Sequence, residues 1–191
     1  MVKKPRLIIW VLTSKCNLAC PHCYAAKFIG RDELNERQAL RVVKSGAEAG
    51  IKHVGFTGGE VFLRKDALNL MRYASQLGMS TSVITNGSML TEEVVRDLAN
   101  IGVFAFLSLD GANKELVSIE EVQRLGDKIG HIDSSMQVCV LGYRPEFRRK
   151  HLPRPSYEEM LQVHRALRGV GLKTVICQVP RGHIGPEGFL S

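Results

Sequence analysis

Six short apolar stretches recur along this chain, and five of them are followed by an amphipathic segment that runs into a glycine. That rhythm restricts the fold more than any other feature. The stretches are 7–13 (LIIWVLT), 53–57 (HVGFT), 80–85 (STSVIT), 103–109 (VFAFLSL), 136–141 (MQVCVL) and 173–179 (KTVICQV). Each is strand-sized and rich in β-branched or aromatic residues. The intervening segments carry helix starts and stops. Asn35 and Gln38 form a capping box before a stripe of Ala39, Leu40, Val42, Val43 and Ala47 that ends at Gly50. Asp66 stands at the cap position before Ala67, Leu70, Met71 and Ala74, and Gly78 closes that segment. Thr91 opens a helix ending at Gly102, Ser118 one reaching about Gly130, and Ser156 one through Arg168. After the sixth strand twelve residues remain, with no helix in them.

Strands alternating with helices pair in parallel through right-handed crossovers, and their ligands gather at the carboxyl ends of the strands. Six units cannot close an eight-stranded barrel, which takes about 250 residues. The expected architecture is therefore α/β: a partial (βα)6 TIM-like barrel of parallel strands with its last helix missing. Residues 1–191 read as one domain, with a motif-bearing part over 7–111 and a less typical part over 112–191.

With 45% hydrophobic and 24% charged residues, the 191-residue chain has material for one core. No apolar run approaches the ~18 residues that cross a bilayer, and the basic start MVKKPR leads into no small-residue cleavage site. No membrane association and a cytoplasmic location are expected. The net charge of +7 has one concentration, from Tyr143 to Arg168, containing Arg144, Arg148, Arg149, Lys150 and Arg154. A solvated basic loop accounts for it more readily than a nucleic-acid site, so nucleic acid is not an expected partner.

Five cysteines is an odd number, and Cys16, Cys20 and Cys23 lie within eight residues, too close for a disulfide framework. The spacing points to a reducing compartment and a metal. CxxxCxxC follows the first strand directly, on the loop where an α/β arc puts its ligands. Three thiolates can hold three irons of a [4Fe-4S] cluster and leave the fourth open to an outside ligand. The alternative is zinc completed by His22, although zinc ligands usually come as paired knuckles across a longer loop. Cys139 and Cys177 fall inside strands, where a cysteine behaves as a small buried hydrophobe.

Three further motifs fall at successive strand ends: TGGE (57–60), TNG (85–87) and SLDG (108–111). Together with the cysteines, the sequence resembles the radical S-adenosylmethionine (SAM) superfamily, in which His22 stands at the usual place before the last cysteine. The segment from Tyr143 to Pro186 faintly resembles members grouped with pyruvate formate-lyase activating enzymes. The resemblance implies a [4Fe-4S] cluster on Cys16, Cys20 and Cys23, with SAM at its open iron. It places Gly58 and Gly59 where backbone approaches the SAM ammonium, and Glu60 where it holds that ammonium or the loop. Ser108 and Asp110 suit the ribose and the carboxylate end, while Asn86 can donate and accept at once. The chain departs from the family pattern at Val61, where a proline is usual, and in a short stretch after SLDG.

The implied activity is reductive cleavage of SAM to methionine and a 5'-deoxyadenosyl radical, which takes hydrogen from a substrate. A ferredoxin- or flavodoxin-type reductant and a protein substrate are the implied partners. A noncatalytic iron-sulfur electron carrier or redox sensor, and an RNA-modifying member of the superfamily, are the alternatives.

Overall fold

The computed structural model describes residues 5–20, 23, 25, 28, 30–108, 118–142, 153–179, 182–185 and 188–190. Six strands follow one another in parallel: β1 (Leu7–Thr13), β2 (His53–Gly58), β3 (Ser80–Thr85), β4 (Phe104–Leu107), β5 (Gln137–Val140) and β6 (Thr174–Val179). Between them lie α1 (Glu36–Glu48), α2 (Ala67–Gln76), α3 (Glu92–Ile101), α4 (Ile119–Ile132) and α5 (Tyr157–Gly169). Strand order in the sheet equals chain order, and each helix packs on the next. The winding is therefore in one sense only, with all five helices on one face. That is the arc of a partial barrel, open between β1 and the far edge.

The expected (βα)6 arrangement with its last helix missing is present, and the tail extends the sheet. Residues after β6 add two antiparallel strands, β7 (Gly182–Gly185) and β8 (Gly188–Leu190), with Cys177 opposite Ile184 and Gln178 opposite His183. His183 sits in this ribbon with its side chain exposed. β4 is also shorter than 103–109, and Leu109 lies outside the described residues.

Alternation in the strands divides the sheet into two unlike faces. Val54 and Phe56 of β2, Val83 of β3, Leu107 of β4, Val138 and Val140 of β5 and Val175 of β6 are buried, and they form one cluster with Leu70, Met71, Leu98, Ile129, Met160 and Leu167 of the helices. Trp10 packs against this core, its ring 6.1 Å from that of Phe56. On the other face Ile9, Gly55 and Ser82 lie side by side, since a Cβ on Gly55 would meet Ile9 Cδ1 at 2.7 Å and Ser82 Oγ at 3.2 Å. Leu7, Ile9 and Phe104 are exposed. No helix among the described residues is long and apolar enough to cross a membrane.

Capping fixes where the helices begin. Asn35 and Gln38 satisfy each other's backbone N–H groups at 3.0 Å, and Ser118 with Glu121 and Ser156 with Glu159 do the same. Asp66 makes no cap bond. Its carboxylate is taken instead by Arg64, Nε to Oδ1 at 2.7 Å and Nη2 to Oδ2 at 2.8 Å, and Arg64 Nη1 reaches the Leu12 carbonyl at 3.3 Å. A paired guanidinium thus fastens the start of α2 to the last turn of the edge strand.

Candidate functional site

The last residues of β1 and β2 set the site. Parallel pairing between these strands runs past Thr13 and Gly58 into the turns, where Gly59 N–H donates to the Thr13 carbonyl and Glu60 N–H to that of Lys15, both at 2.8 Å. The turn after β2 is thereby laid against the chain that enters the cysteine loop. The approach leaves no room for side chains. A Cβ on Gly58 would lie 2.1 Å from Thr13 O, and one on Gly59 would lie 2.0 Å from Lys15 O and 3.1 Å from Cys16 Cβ. Gly58 also has φ +146°, a backbone conformation that favours glycine. These glycines therefore serve contact between backbone and backbone within the protein.

Glu60 is fully buried, and both of its oxygens are used. They accept from Thr85 Oγ1 at 2.8 and 3.0 Å, Asn86 N–H at 2.9 Å and Phe62 N–H at 3.2 Å. Of the two roles open to this residue from sequence, the structure supplies the one of holding the loop. A buried carboxylate surrounded by donors welds the turn after β2 to the end of β3. Ser108 N–H donates to the Thr85 carbonyl at 2.8 Å, which brings the end of β4 into the same edge.

From Asn86 the network passes to the cysteines. Its Nδ2 donates to Asn17 Oδ1 at 3.1 Å and lies 3.9 Å from Cys16 Sγ, while its Oδ1 accepts from Ser88 N–H at 2.9 Å. Cys16 Sγ also accepts from Leu18 N–H at 3.4 Å, and Cys23 N–H donates to the Cys20 carbonyl at 3.1 Å. Cys16, Cys20 and Cys23 are all at least partly exposed, and none is in a disulfide. Among the described residues the three thiols are not gathered into a group that could hold one ion. His22 and Asp110 lie outside the described residues.

Sequence reasoning missed Glu33. Its Oε1 accepts from Thr13 Oγ1 at 2.8 Å, Ser14 N–H at 2.9 Å and Ser14 Oγ at 3.4 Å, so the cysteine loop is tied where it leaves β1 by the segment to which it returns. Nothing in RDELNE marks this acid among its neighbours. Desolvation pushes its carboxyl up, but the Ser14 N–H, the Thr13 hydroxyl, the Lys15 charge and the Ser14 hydroxyl outweigh it and hold the pKa below the ordinary 4.5. A carboxylate with a depressed folded pKa stabilises above its unfolded pKa, and that contribution is lost as pH falls through the folded value. Glu33→Gln is expected to cost about 1 kcal/mol at neutral pH. In urea titrations the gap between parent and variant closes below the ordinary carboxyl pKa; a gap independent of pH would contradict the tie.

The arrangement is three thiols on the loop after β1, with the turns after β2, β3 and β4 drawn to one edge beside them. A model of the Radical SAM superfamily matches residues 10–183. The chain belongs to this superfamily. The AdoMet-dependent heme synthase of Methanosarcina barkeri (strain Fusaro / DSM 804) is 37% identical over 118 residues, 60% of this radical SAM chain and 34% of that protein. The PqqA peptide cyclase of Rhizobium meliloti (strain 1021) is 34% identical over 138 residues, 71% of this chain and 36% of that protein. The chain thus spans about a third of the length of the curated relatives it matches. Among solved structures, Streptococcus suis SuiB bound to its precursor peptide SuiA superposes with a TM-score of 0.70 at 18% identity, over 91% of this chain and 39% of that one. That likeness is one of fold.

The donor set of this radical SAM chain fits an iron-sulfur cluster. Three thiols outside any disulfide stand on one loop, and two N–H groups are directed at one sulfur, as suits a thiolate that carries charge. Each thiolate of such a cluster binds a different iron, so the sulfurs need not converge as they would around zinc.

Proposed function

We propose that the chain is the core of a radical SAM enzyme that cleaves SAM reductively at a [4Fe-4S] cluster held by Cys16, Cys20 and Cys23. The observation that supports this most is the joining of four strand-end motifs into one hydrogen-bonded edge, Thr13 to Gly59, Lys15 to Glu60, Thr85 to Glu60 and Ser108 to Thr85, directly around the cysteine loop. When bound, the cluster supplies an electron to SAM, giving methionine and a 5'-deoxyadenosyl radical that takes a hydrogen atom from substrate.

The protein's part is to bind and orient. Gly58 and Gly59 let the turn after β2 lie against the loop, and we assign the backbone of this turn to the SAM ammonium. Ser108, half-buried at the end of β4, is the hydroxyl we assign to the ribose, and the resemblance assigns the Asp110 carboxylate, outside the described residues, to the same hydroxyls. Glu60 and Asn86 keep these turns in register.

The substrate proposed is a peptide or protein. Of the relatives described above, the longer match is to a peptide cyclase. A ferredoxin- or flavodoxin-type protein would deliver the electron. Anaerobic incubation of reconstituted protein with dithionite and SAM should yield 5'-deoxyadenosine and methionine. A fully loaded cluster that leaves SAM intact would instead assign the chain to electron transfer or redox sensing.

A further inference from the structure

The carboxamide of Asn86 is committed to the protein on every side. Ser88 N–H can only donate, so the atom it meets at 2.9 Å must be Oδ1, and this fixes the amide with Nδ2 toward the cysteine loop. Nδ2 donates to Asn17 Oδ1 at 3.1 Å, Asn17 Nδ2 donates to Ser88 Oγ at 2.8 Å, and Ser88 Oγ donates back to Asn86 Oδ1 at 2.5 Å. The three side chains close a ring in which every donor runs in one sense, an arrangement in which each bond polarises the next. Behind the ring, Asn86 N–H is held by the buried Glu60 carboxylate at 2.9 Å. The second Nδ2 contact is Cys16 Sγ at 3.9 Å, long for N–H···S, alongside the Leu18 N–H at 3.4 Å.

We propose that Asn86 is a positioning residue for Cys16 and does not bind SAM: its amide, locked by Ser88 and Asn17, donates to the Cys16 sulfur and sets the potential of the cluster bound there. This rests on the assignment of the cluster to Cys16, Cys20 and Cys23. A donor aimed at a ligand sulfur draws off thiolate charge and so favours the state with one more electron; losing it makes the cluster harder to reduce. Ser88 then matters only through the amide it orients.

The test compares the parent with Asn86→Ala and Ser88→Ala, all reconstituted anaerobically, by iron and sulfide content, by a redox titration followed by electron paramagnetic resonance, and by titration of the reduced signal with SAM. Asn86→Ala is expected to keep its iron, to move the midpoint potential negative and to hold the SAM dissociation constant within about twofold of the parent. Ser88→Ala moves the potential the same way by a smaller amount. An unchanged potential in both variants overturns the proposal, as does loss of SAM affinity at constant potential, which would make Asn86 a SAM ligand. If Asn86→Ala takes up no iron, the direction of the shift in Ser88→Ala decides. A parent that binds no iron, or whose signal ignores SAM, fails at the level of the proposed function and is told apart by the parent alone.

Discussion

Replacing Cys16, Cys20 or Cys23 by Ala is expected to remove essentially all iron and acid-labile sulfide, about four of each per chain in the parent, while Cys139→Ala and Cys177→Ala leave both in place. Metal binds the thiolate, and the two strand cysteines are held in the thiol form. Burial raises the Cys139 pKa to about 11. Burial, with the neighbouring Cys139, raises that of Cys177 to about 12. These strand cysteines, β5 and β6 neighbours, remain thiols and act as small hydrophobes, Cys177 within the core and Cys139 half-buried. The loop cysteines instead stand at least partly exposed, and Cys16 has a backbone and an amide donor beside its sulfur. Iron and sulfide analysis of anaerobically purified variants decides the matter. Stoichiometric zinc without sulfide in the parent would refute the cluster, and loss of iron in Cys139→Ala would refute the division between the two sets.

Most of the architecture was legible in local chemistry. Asn35 with Gln38, Thr91, Ser118 and Ser156 each start a helix as their side chains dictate, and the apolar runs between them pair in chain order. Two features escaped for tertiary reasons. GHIG at 182–185 carries glycines that read as a loop, and only the exposed edge of β6 makes it a strand. Asp66 has the residue type of a cap, but Arg64 two positions earlier offers a charged bidentate partner, which outcompetes a single backbone N–H. A contest between partners is invisible when one residue is read at a time.

At the site, the position of each motif was legible and its partner often was not. TGGE, TNG and the serine of SLDG stand at strand ends as the alternation requires. A polar residue at a strand end suggests a ligand contact, whereas Glu60 and Asn86 direct hydrogen bonds to the neighbouring loops. Glu33 gave no signal at all, because its meaning lies in Thr13 and Ser14, some twenty residues back along the chain. A site that must hold several loops in register devotes many of its groups to the loops themselves.

Gly59→Ala should therefore damage the cysteine loop before it affects SAM, and this effect ranks with loss of a ligand. The added methyl would sit 2.0 Å from the Lys15 carbonyl oxygen and 2.6 Å from its carbon, both backbone atoms that no rotamer change can move. Relief requires breaking the Glu60 N–H bond to Lys15 and displacing Cys16, whose Cβ is 3.1 Å away. Gly58→Ala adds a conformational cost of about 1–2 kcal/mol at its positive φ to a clash of 2.1 Å with Thr13 O. Gly78 is the informative control. Its φ is +78° with nothing within 4 Å of the added methyl, so Gly78→Ala bears the conformational cost alone, about 1 kcal/mol, and keeps its cluster. Overpacking against fixed backbone at Gly58 or Gly59 is expected to cost about 3 kcal/mol or more. Both variants should melt well below the parent and carry little iron after reconstitution. Full iron with weakened SAM binding in Gly59→Ala would show that the turn's contact with the loop tolerates the methyl and that the glycine is needed for SAM alone.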